Sequence, residues 1–238
     1  GGTLNILARS TTEMGGLLIN GFGAVAPVIS SNVVFNPLGA TATTASGEGI
    51  VYVSGGYTSG TATISGGVSA RSFTKTGAGD LLLSGSNNGI YGALTVNNGT
   101  LSLGSATSVT AQTTTLILND TGKFSVNGGN SNFASISGTV GIVGNTSSTN
   151  GSLTINGITT TTFLGNIVNG INGGTGTTAL VKSGAGTLTL GTITANNTFA
   201  GQNSFTGGVK VNQGVLIAQD PLALGGANGS TPGTVTLQ

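Results

Sequence analysis

Short apolar-x-apolar triplets, separated by glycine, asparagine or serine, recur along the 238-residue chain. This alternation has the period of a half-buried β-strand, and the separating residues favour turns. No stretch repeats its apolar residues at helical spacing, and β-branched residues dominate between the turns. The pattern therefore predicts an all-β protein with many short strands. The clearest triplets begin at Leu17, Val33, Val51, Leu81, Leu94, Leu101, Leu116, Phe124, Leu153, Leu188, Val209 and Val235.

Asparagine-glycine steps punctuate these triplets. Glycine, and less often asparagine, adopts the positive φ angles that tight turns require. We therefore predict that the steps lie in turns between strands. They begin at Asn20, Asn98, Asn127, Asn150, Asn156, Asn169, Asn172 and Asn228.

Internal repetition separates two all-β solutions, an antiparallel sandwich or barrel and a parallel solenoid of stacked strands. Residues 73–83 read FTKTGAGDLLL, and residues 180–190 read LVKSGAGTLTL. Further along, NGIYGALTVNNG at 88–99 is matched by NSFTGGVKVNQG at 203–214, after extra residues in the second copy. Repeats that tolerate insertions are typical of stacked units with loops on one face. The repetition therefore favours a solenoid.

The two copies resemble the autotransporter-associated β-strand repeat, through Lys-Thr-Gly-Ala-Gly in the first copy, Lys-Ser-Gly-Ala-Gly in the second, and the later Val-Asn-x-Gly-x-Leu in both. Residues 73–103 and 180–217 carry the resemblance, which covers about a third of the chain. It implies a right-handed parallel β-helix on the surface of a Gram-negative-type bacterium, usually within a longer repetitive protein. The second copy departs by an insertion at 191–202 and by Thr206 where Tyr91 stands in the first.

The repeat length sets an expectation for the size of the solenoid. With roughly 20 residues in each coil, residues 1–238 would form a single solenoid of about a dozen coils. The sequence starts at Gly1 with neither an initiator methionine nor an apolar leader. We therefore expect a fragment of a longer repetitive protein, whose signal peptide is removed or lies elsewhere.

Composition limits both the core and the chemistry. The chain has 45 Gly, 8 Phe and no Trp, and 37% of its residues are hydrophobic, which predicts a folded chain with a thin aliphatic core. Its formal net charge is +1 without charge clusters, so we expect no binding to nucleic acid or to an anionic membrane. Histidine and cysteine are both absent, which excludes the usual zinc ligand sets and Ser-His or Cys-His nucleophiles.

Carboxylates are the remaining candidates for catalysis, because parallel β-helices also carry polysaccharide lyases and hydrolases. Such sites need acidic or basic groups that converge on one face. Asp80 and Asp120 stand 40 residues apart, and two coils would separate them by about 10 Å, too far for a tight pair or a shared metal. We therefore predict no catalytic, cofactor-binding or metal-binding residues and no enzymatic activity.

Lys75 and Lys182 occupy the same place in the two copies, directly before the Gly-Ala-Gly steps. A functional interpretation would make them ligand contacts. Long charged side chains more often lie on the solvent face of a strand, where they maintain solubility and discourage edge pairing. The sequence therefore predicts that both lysines are exposed.

Thr-x-Thr triplets raise the possibility of the flat threonine array found in ice-binding solenoids. Only the first two triplets stand 20 residues apart, so we predict no sustained array, and threonine is common on any exposed strand face. The triplets begin at Thr41, Thr61, Thr187, Thr192 and Thr234.

The function predicted from these patterns is structural. We expect an exported solenoid, extracellular or on the outer cell surface, that builds a rod or filament and mediates adhesion or self-association, the latter end to end or laterally. It would meet a membrane only through a separate anchor or translocator domain. The alternative is a carbohydrate- or host-binding passenger whose ligand sites, for surface glycans or a host surface, lie on inserted loops such as residues 159–178 or 191–202.

Overall fold

The computed structural model describes ten parts of the chain, and it contains strands but no helix within them. No helix in these parts is long and apolar enough to cross a membrane. The prediction of an all-β protein is therefore confirmed. The described residues are 2–7, 14–21, 23–36, 47–56, 60–86, 88–104, 113–193, 199–200, 202–226 and 234–238.

Nearly all strands pair in parallel with the equivalent strand of the next coil, as a β-solenoid requires. The first face begins with a four-stranded sheet of β1 (Thr3–Leu7), β4 (Asn32–Asn36), β7 (Val68–Ala70) and β10 (Gly89–Ile90). The same face continues in a five-stranded sheet of β15 (Asn130–Phe133), β18 (Gly151–Ile155), β21 (Thr178–Lys182), β25 (Val209–Val211) and β27 (Val235–Leu237).

The second face runs without interruption through nine strands, because a parallel bridge between Gly138 and Phe163 links its two sheets. The first sheet comprises β2 (Gly15–Ile19), β5 (Glu48–Val53), β8 (Ser72–Thr76), β11 (Ala93–Val96), β13 (Thr115–Leu118) and β16 (Ser135–Ser137). The second comprises β19 (Thr161–Phe163), β22 (Thr187–Leu190) and β26 (Val215–Ala218).

The third face is a single seven-stranded sheet, and a short antiparallel hairpin lies in the insertion of the second repeat copy. The sheet comprises β3 (Val28–Ile29), β6 (Ala62–Ile64), β9 (Leu81–Leu83), β12 (Thr100–Leu103), β14 (Lys123–Ser125), β17 (Ile142–Asn145) and β20 (Asn166–Gly170). The hairpin comprises β23 (Thr192–Ile193) and β24 (Phe199–Ala200).

Coil length varies along the solenoid. In the middle of the chain, hydrogen bonds between neighbouring coils join residues 20 to 24 positions apart. Towards both ends such bonds join residues 34 to 37 positions apart. The predicted coil of roughly 20 residues therefore holds only in the middle, and the longer coils at the ends leave the number of about a dozen unconfirmed.

The core is a column of aliphatic side chains that runs along the axis. Leu101 stacks between Leu81 and Phe124 in neighbouring coils, and all three are fully buried. The few phenylalanines add local contacts, such as the edge-to-face pair of Phe124 and Phe133 with centroids 5.2 Å apart. Burial is therefore shared between neighbouring coils, as the thin aliphatic core predicted from composition requires.

The turns follow the predicted chemistry at several steps. Asn127 and Asn172 have φ angles of 48° and 50°, and Gly77 of the first Gly-Ala-Gly step has a φ of 80°. The steps at Asn150 and Asn169 differ, because Gly151 begins strand β18 and the Asn169 step lies at the end of strand β20. The step at Asn228 lies outside the described residues.

The described threonine triplets form no ladder. Thr63 stacks between Val28 and Leu82, while Thr189 stacks between Thr162 and Ile217. Thr41, Thr43 and Thr194 lie outside the described residues. The stacking of the described threonines agrees with the prediction that no sustained threonine array forms.

Candidate functional site

Lys75 is buried inside the solenoid, with no exposed surface. In strand β8 it stands two residues after the buried Phe73, so the period of the strand points both side chains inward. It stacks between Val51 of the preceding coil and Val96 of the next. The prediction of an exposed lysine is therefore wrong at this position.

Lys182 repeats the arrangement in the second copy. Its side chain is 1% exposed, and the residue stacks between Ile155 and Val211. It stands two residues after the buried Leu180, as Lys75 does after Phe73. The predicted exposure is wrong here as well, for the same reason of strand period.

Each lysine joins two successive coils through backbone carbonyls. Lys75 Nζ donates to the carbonyl oxygen of Gly77 in its own turn, at 2.5 Å, and to that of Asn98 in the next coil, at 2.7 Å. Lys182 Nζ donates to the carbonyl oxygens of Gly184 and Gln213, the second at 3.5 Å. Because Asn98 and Gln213 are equivalent in the repeat, the two copies build the same joint.

A glycine in the next coil makes room for each amine. Gly99 has a φ of 64°, and a Cβ built on it would lie 2.8 Å from the Gly77 carbonyl oxygen and closer still to Lys75 Nζ. Gly214, with a φ of 79°, occupies the equivalent position, where a Cβ would lie 2.9 Å from Lys182 Nζ. The lysine and the glycine of the repeat are therefore two parts of one packed unit. We call this unit, with its carbonyls, the lysine cage.

A buried asparagine joins neighbouring chain segments in both copies. Asn88 Oδ1 accepts the backbone N–H of Val68 at 2.9 Å, and its Nδ2 donates to the Gly85 carbonyl at 3.1 Å. The equivalent Asn203 accepts the N–H of Ile167 at 2.6 Å and donates to the Ala223 carbonyl at 2.7 Å. Both asparagines therefore satisfy backbone groups that would otherwise be buried without partners.

Burial disfavours the charged form of both lysines. Loss of hydration lowers the pKa of Lys75 to about 8, although the negative charge of Asp80 opposes this shift. Burial also lowers the pKa of Lys182. A neutral amine keeps two N–H donors, which equals the number of carbonyls that each lysine contacts.

These pKa shifts predict that alkaline pH stabilises the solenoid. Above pH 8 the folded chain loses the Lys75 proton while the unfolded chain retains it up to the ordinary lysine pKa near 10.5, so the free energy of unfolding should rise across this window. The gain should reach up to about 3 kcal/mol. Urea unfolding at pH 7, 8, 9 and 10 measures it, with Lys75→Met as the control whose rise should be smaller. A wild-type stability that stays flat or falls from pH 8 to 10, relative to this control, would contradict the prediction.

The two aspartates considered for catalysis lie in different surroundings. Asp80 Oδ1 accepts the backbone N–H of Thr100 in the next coil at 2.9 Å, and Asp80 Oδ2 accepts from Asn172 at 2.9 Å. Asp120 is exposed in the turn before β14, with a φ of 45°. Within the described residues, no group of three or more His, Cys, Asp or Glu side chains could hold a metal ion.

The loop after β20 folds over the outer surface of the third face. Asn172 Nδ2 donates to Asp80 Oδ2 and, at 2.7 Å, to Thr100 Oγ1, while its Oδ1 accepts from Lys123 Nζ at 3.3 Å. A groove of about 430 Å³ lies beside this contact, and polar side chains form most of its lining. We call it the Asn172 groove; its polar side chains come from Thr61, Asp80, Thr100, Ser102, Asn127, Thr146 and Asn172.

The lysine cage could have been found from the sequence. In both copies the lysine follows an apolar residue at spacing two, which is the spacing of side chains on one face of a strand. The general preference of lysine for the surface concealed this signal. The Asn172 contact has no such signal, because it joins residues 92 positions apart.

Comparison with protein families identifies the repeat. The family model of the passenger-associated-transport-repeat matches residues 73–103 and 180–218, so both lysine cages fall within its matches. This repeat implies export to the cell surface or the extracellular space. Searches of curated proteins and of solved structures give no match. The chain thus carries two copies of the passenger-associated-transport-repeat, as a bacterial autotransporter passenger with repeats does.

Proposed function

We propose that the chain is a structural segment of an exported surface protein, a stiff solenoid rod that associates with further copies of itself. The observation that carries the proposal is the continuous second face, nine parallel strands over one shared aliphatic core. Parallel coils that each contact only their neighbours favour a rod over a compact body. The proposal assigns no catalytic role to the chain.

Exposed apolar side chains on the first and last described strands are consistent with self-association. In β1, Leu4 aligns with the buried Val33 but is 40% exposed, because no described strand stacks outside it. In β27, Leu237 aligns with Val211 and is 76% exposed. We propose that a second copy covers these surfaces, with β27 of one rod beside β1 of the next.

The low charge of the end strands is consistent with this proposal. Exposed strand edges are usually protected from pairing by charged residues or proline. Strands β1 and β27, with the sequences TLNIL and VTL, contain neither. Within the described residues, β1 and β27 therefore each present an edge that a further parallel strand can join.

The test compares a blocked end with a matched position in the middle of the chain. We expect the wild-type chain to form longer rods as its concentration rises, measured by sedimentation velocity and by rod length in negative-stain microscopy. Leu237→Lys should shorten the rods, because it places a charge in the end surface. Ile158→Lys, at a side chain that is 83% exposed between β18 and β19, should leave them unchanged. Single rods at every concentration, or equal behaviour of both variants, would overturn the proposal.

The Asn172 groove favours a second candidate function, binding of a surface glycan. Its hydroxyl, amide and carboxylate groups could exchange hydrogen bonds with a neutral sugar. It also involves the 159–178 loop, which the sequence suggested as a ligand-binding insertion. A glycan array with wild-type chain and with Asn172→Ala tests this candidate. The glycan-binding function requires that the wild-type chain binds a glycan on the array and that Asn172→Ala abolishes this binding.

A further inference from the structure

The lysine cage has the composition of a binding site for a primary amine. Its contacts with the lysine nitrogen are hydrogen bonds to backbone carbonyl oxygens, which only accept, and these oxygens come from two successive coils. The site is closed, because Lys75 has no exposed surface and Gly99 approaches the amine from the next coil. The second copy has the same composition around Lys182.

Backbone carbonyl oxygens accept both hydrogen bonds from the Lys75 amine. The accepting atoms belong to the main chain of Gly77 and Asn98, and their positions follow from the turns of two coils. Gly77, with a φ of 80°, and Gly99, with a φ of 64°, hold those turns in the positive-φ region. Removing the lysine side chain would therefore leave the acceptors in place.

We propose that each repeat copy contains a primary-amine site between successive coils, occupied by its own lysine, which accepts a free primary alkylamine when that side chain is removed. The repeat lysine is then an internal ligand that holds one coil to the next. This role is independent of self-association, because the cage lies within one chain. It also explains why the motif combines lysine before Gly-Ala-Gly with a glycine one coil later.

The two copies should differ in strength. In the first cage both carbonyls lie within 2.7 Å of the amine nitrogen, and Asp80 adds a favourable charge interaction. In the second cage the carbonyl of Gln213 lies at 3.5 Å, and Thr187 stands at the position equivalent to Asp80. We therefore expect the first cage to bind an added amine more tightly.

Chemical rescue tests the site. The variants are Lys75→Ala and Lys210→Ala, the latter at a half-buried lysine on the outer side of β25. Unfolding in urea is followed with added propylamine, trimethylamine or 1-propanol at pH 9. Propylamine should raise the folded-to-unfolded ratio of Lys75→Ala about tenfold when its concentration is ten times its dissociation constant. The same propylamine should leave the wild type and Lys210→Ala almost unchanged.

The two other additives separate the proposed site from a simple cavity. Trimethylamine has at most one N–H group, in its protonated form, and propanol has only one donor, so neither can donate to both carbonyls as propylamine can. Equal rescue by propanol, or an equal gain in the wild type, would overturn the proposal. Rescue of Lys75→Ala by propylamine in a chain that stays monomeric would support the cage even if the rods do not associate.

A measurement on the wild-type chain covers the case in which Lys75→Ala does not fold. Acetylation of amines with an N-hydroxysuccinimide ester, followed by mass spectrometry, reports the access to each lysine. We expect Lys75 and Lys182 to react at least tenfold more slowly than Lys210, because their amines are enclosed and hydrogen-bonded. Reaction of Lys75 at the rate of Lys210 would overturn the proposal.

Discussion

Replacing Gly99 by alanine should lower the free energy of unfolding by about 3 to 5 kcal/mol, from the combined cost of a positive φ and of a broken buried hydrogen bond. The new Cβ would press on the Gly79 carbonyl oxygen and on Lys75 Nζ, and it would lie 2.8 Å from the Gly77 carbonyl oxygen. The amine would have to move, which would leave buried carbonyls without a donor. Urea unfolding followed by circular dichroism measures the loss.

Two other glycines provide controls that separate backbone strain from crowding. Gly173 has a φ of 87°, but a Cβ there would meet nothing within 4 Å, so Gly173→Ala should cost only about 1 to 2 kcal/mol. A Cβ on Gly16 in strand β2 would also meet nothing, and we expect little change. If Gly99→Ala lowered the free energy of unfolding no more than Gly173→Ala does, close packing around the lysine cage would be refuted as the cause of the loss.

Replacing Phe124 by alanine should cost about 3 to 5 kcal/mol, the usual loss for a fully buried phenylalanine. Its ring is buried between Leu101 and Val143 of the adjoining coils and meets Phe133 edge to face. Tyr91→Ala serves as the control, because Tyr91 is 54% exposed and should contribute far less. Thermal and urea unfolding of both variants measure the difference.

The position of this loss along the rod is also predictable. In a solenoid each coil contacts only its neighbours, so damage at Phe124 should weaken the adjoining coils first. Amide hydrogen exchange should accelerate most in β12, β14 and β17 and least in β2. A uniform acceleration along the whole chain would instead indicate one cooperative core. It would contradict the conclusion that each coil is buried mainly by its neighbouring coils.

The strands were predictable because each triplet alone encodes its geometry. Leu81, Leu94 and Leu116 begin triplets that lie in strands with buried first and third residues, as strand period requires. The buried lysines were missed because residue type was given more weight than position. Lys75 and Lys182 have the inward position of their strands, and this signal was present in both copies.

Other features depend on contacts that a local pattern does not contain. The longer coils near the ends are one such feature, because hydrogen bonds there join residues 35 and 36 positions apart, while the triplets do not encode the number of residues in each coil. The Asn172 groove needs a loop from β20 to reach Asp80, 92 residues earlier. Sequence reasoning suggested the 159–178 loop as a ligand site, but it could not have supplied the surface on which that loop lies.

The lysine cage uses main-chain oxygens, so neighbouring side chains can change without altering it. Asn98 is replaced by Gln213 and Thr76 by Ser183, while the lysine and the glycine are the same in both copies. Because the lysine cage depends on so few side chains, one coil can replace another without loss of the contact between coils. Duplication or deletion of a coil with its lysine and glycine would leave a compatible joint on either side. Rod length can therefore change by discrete steps during evolution, without redesign of the core.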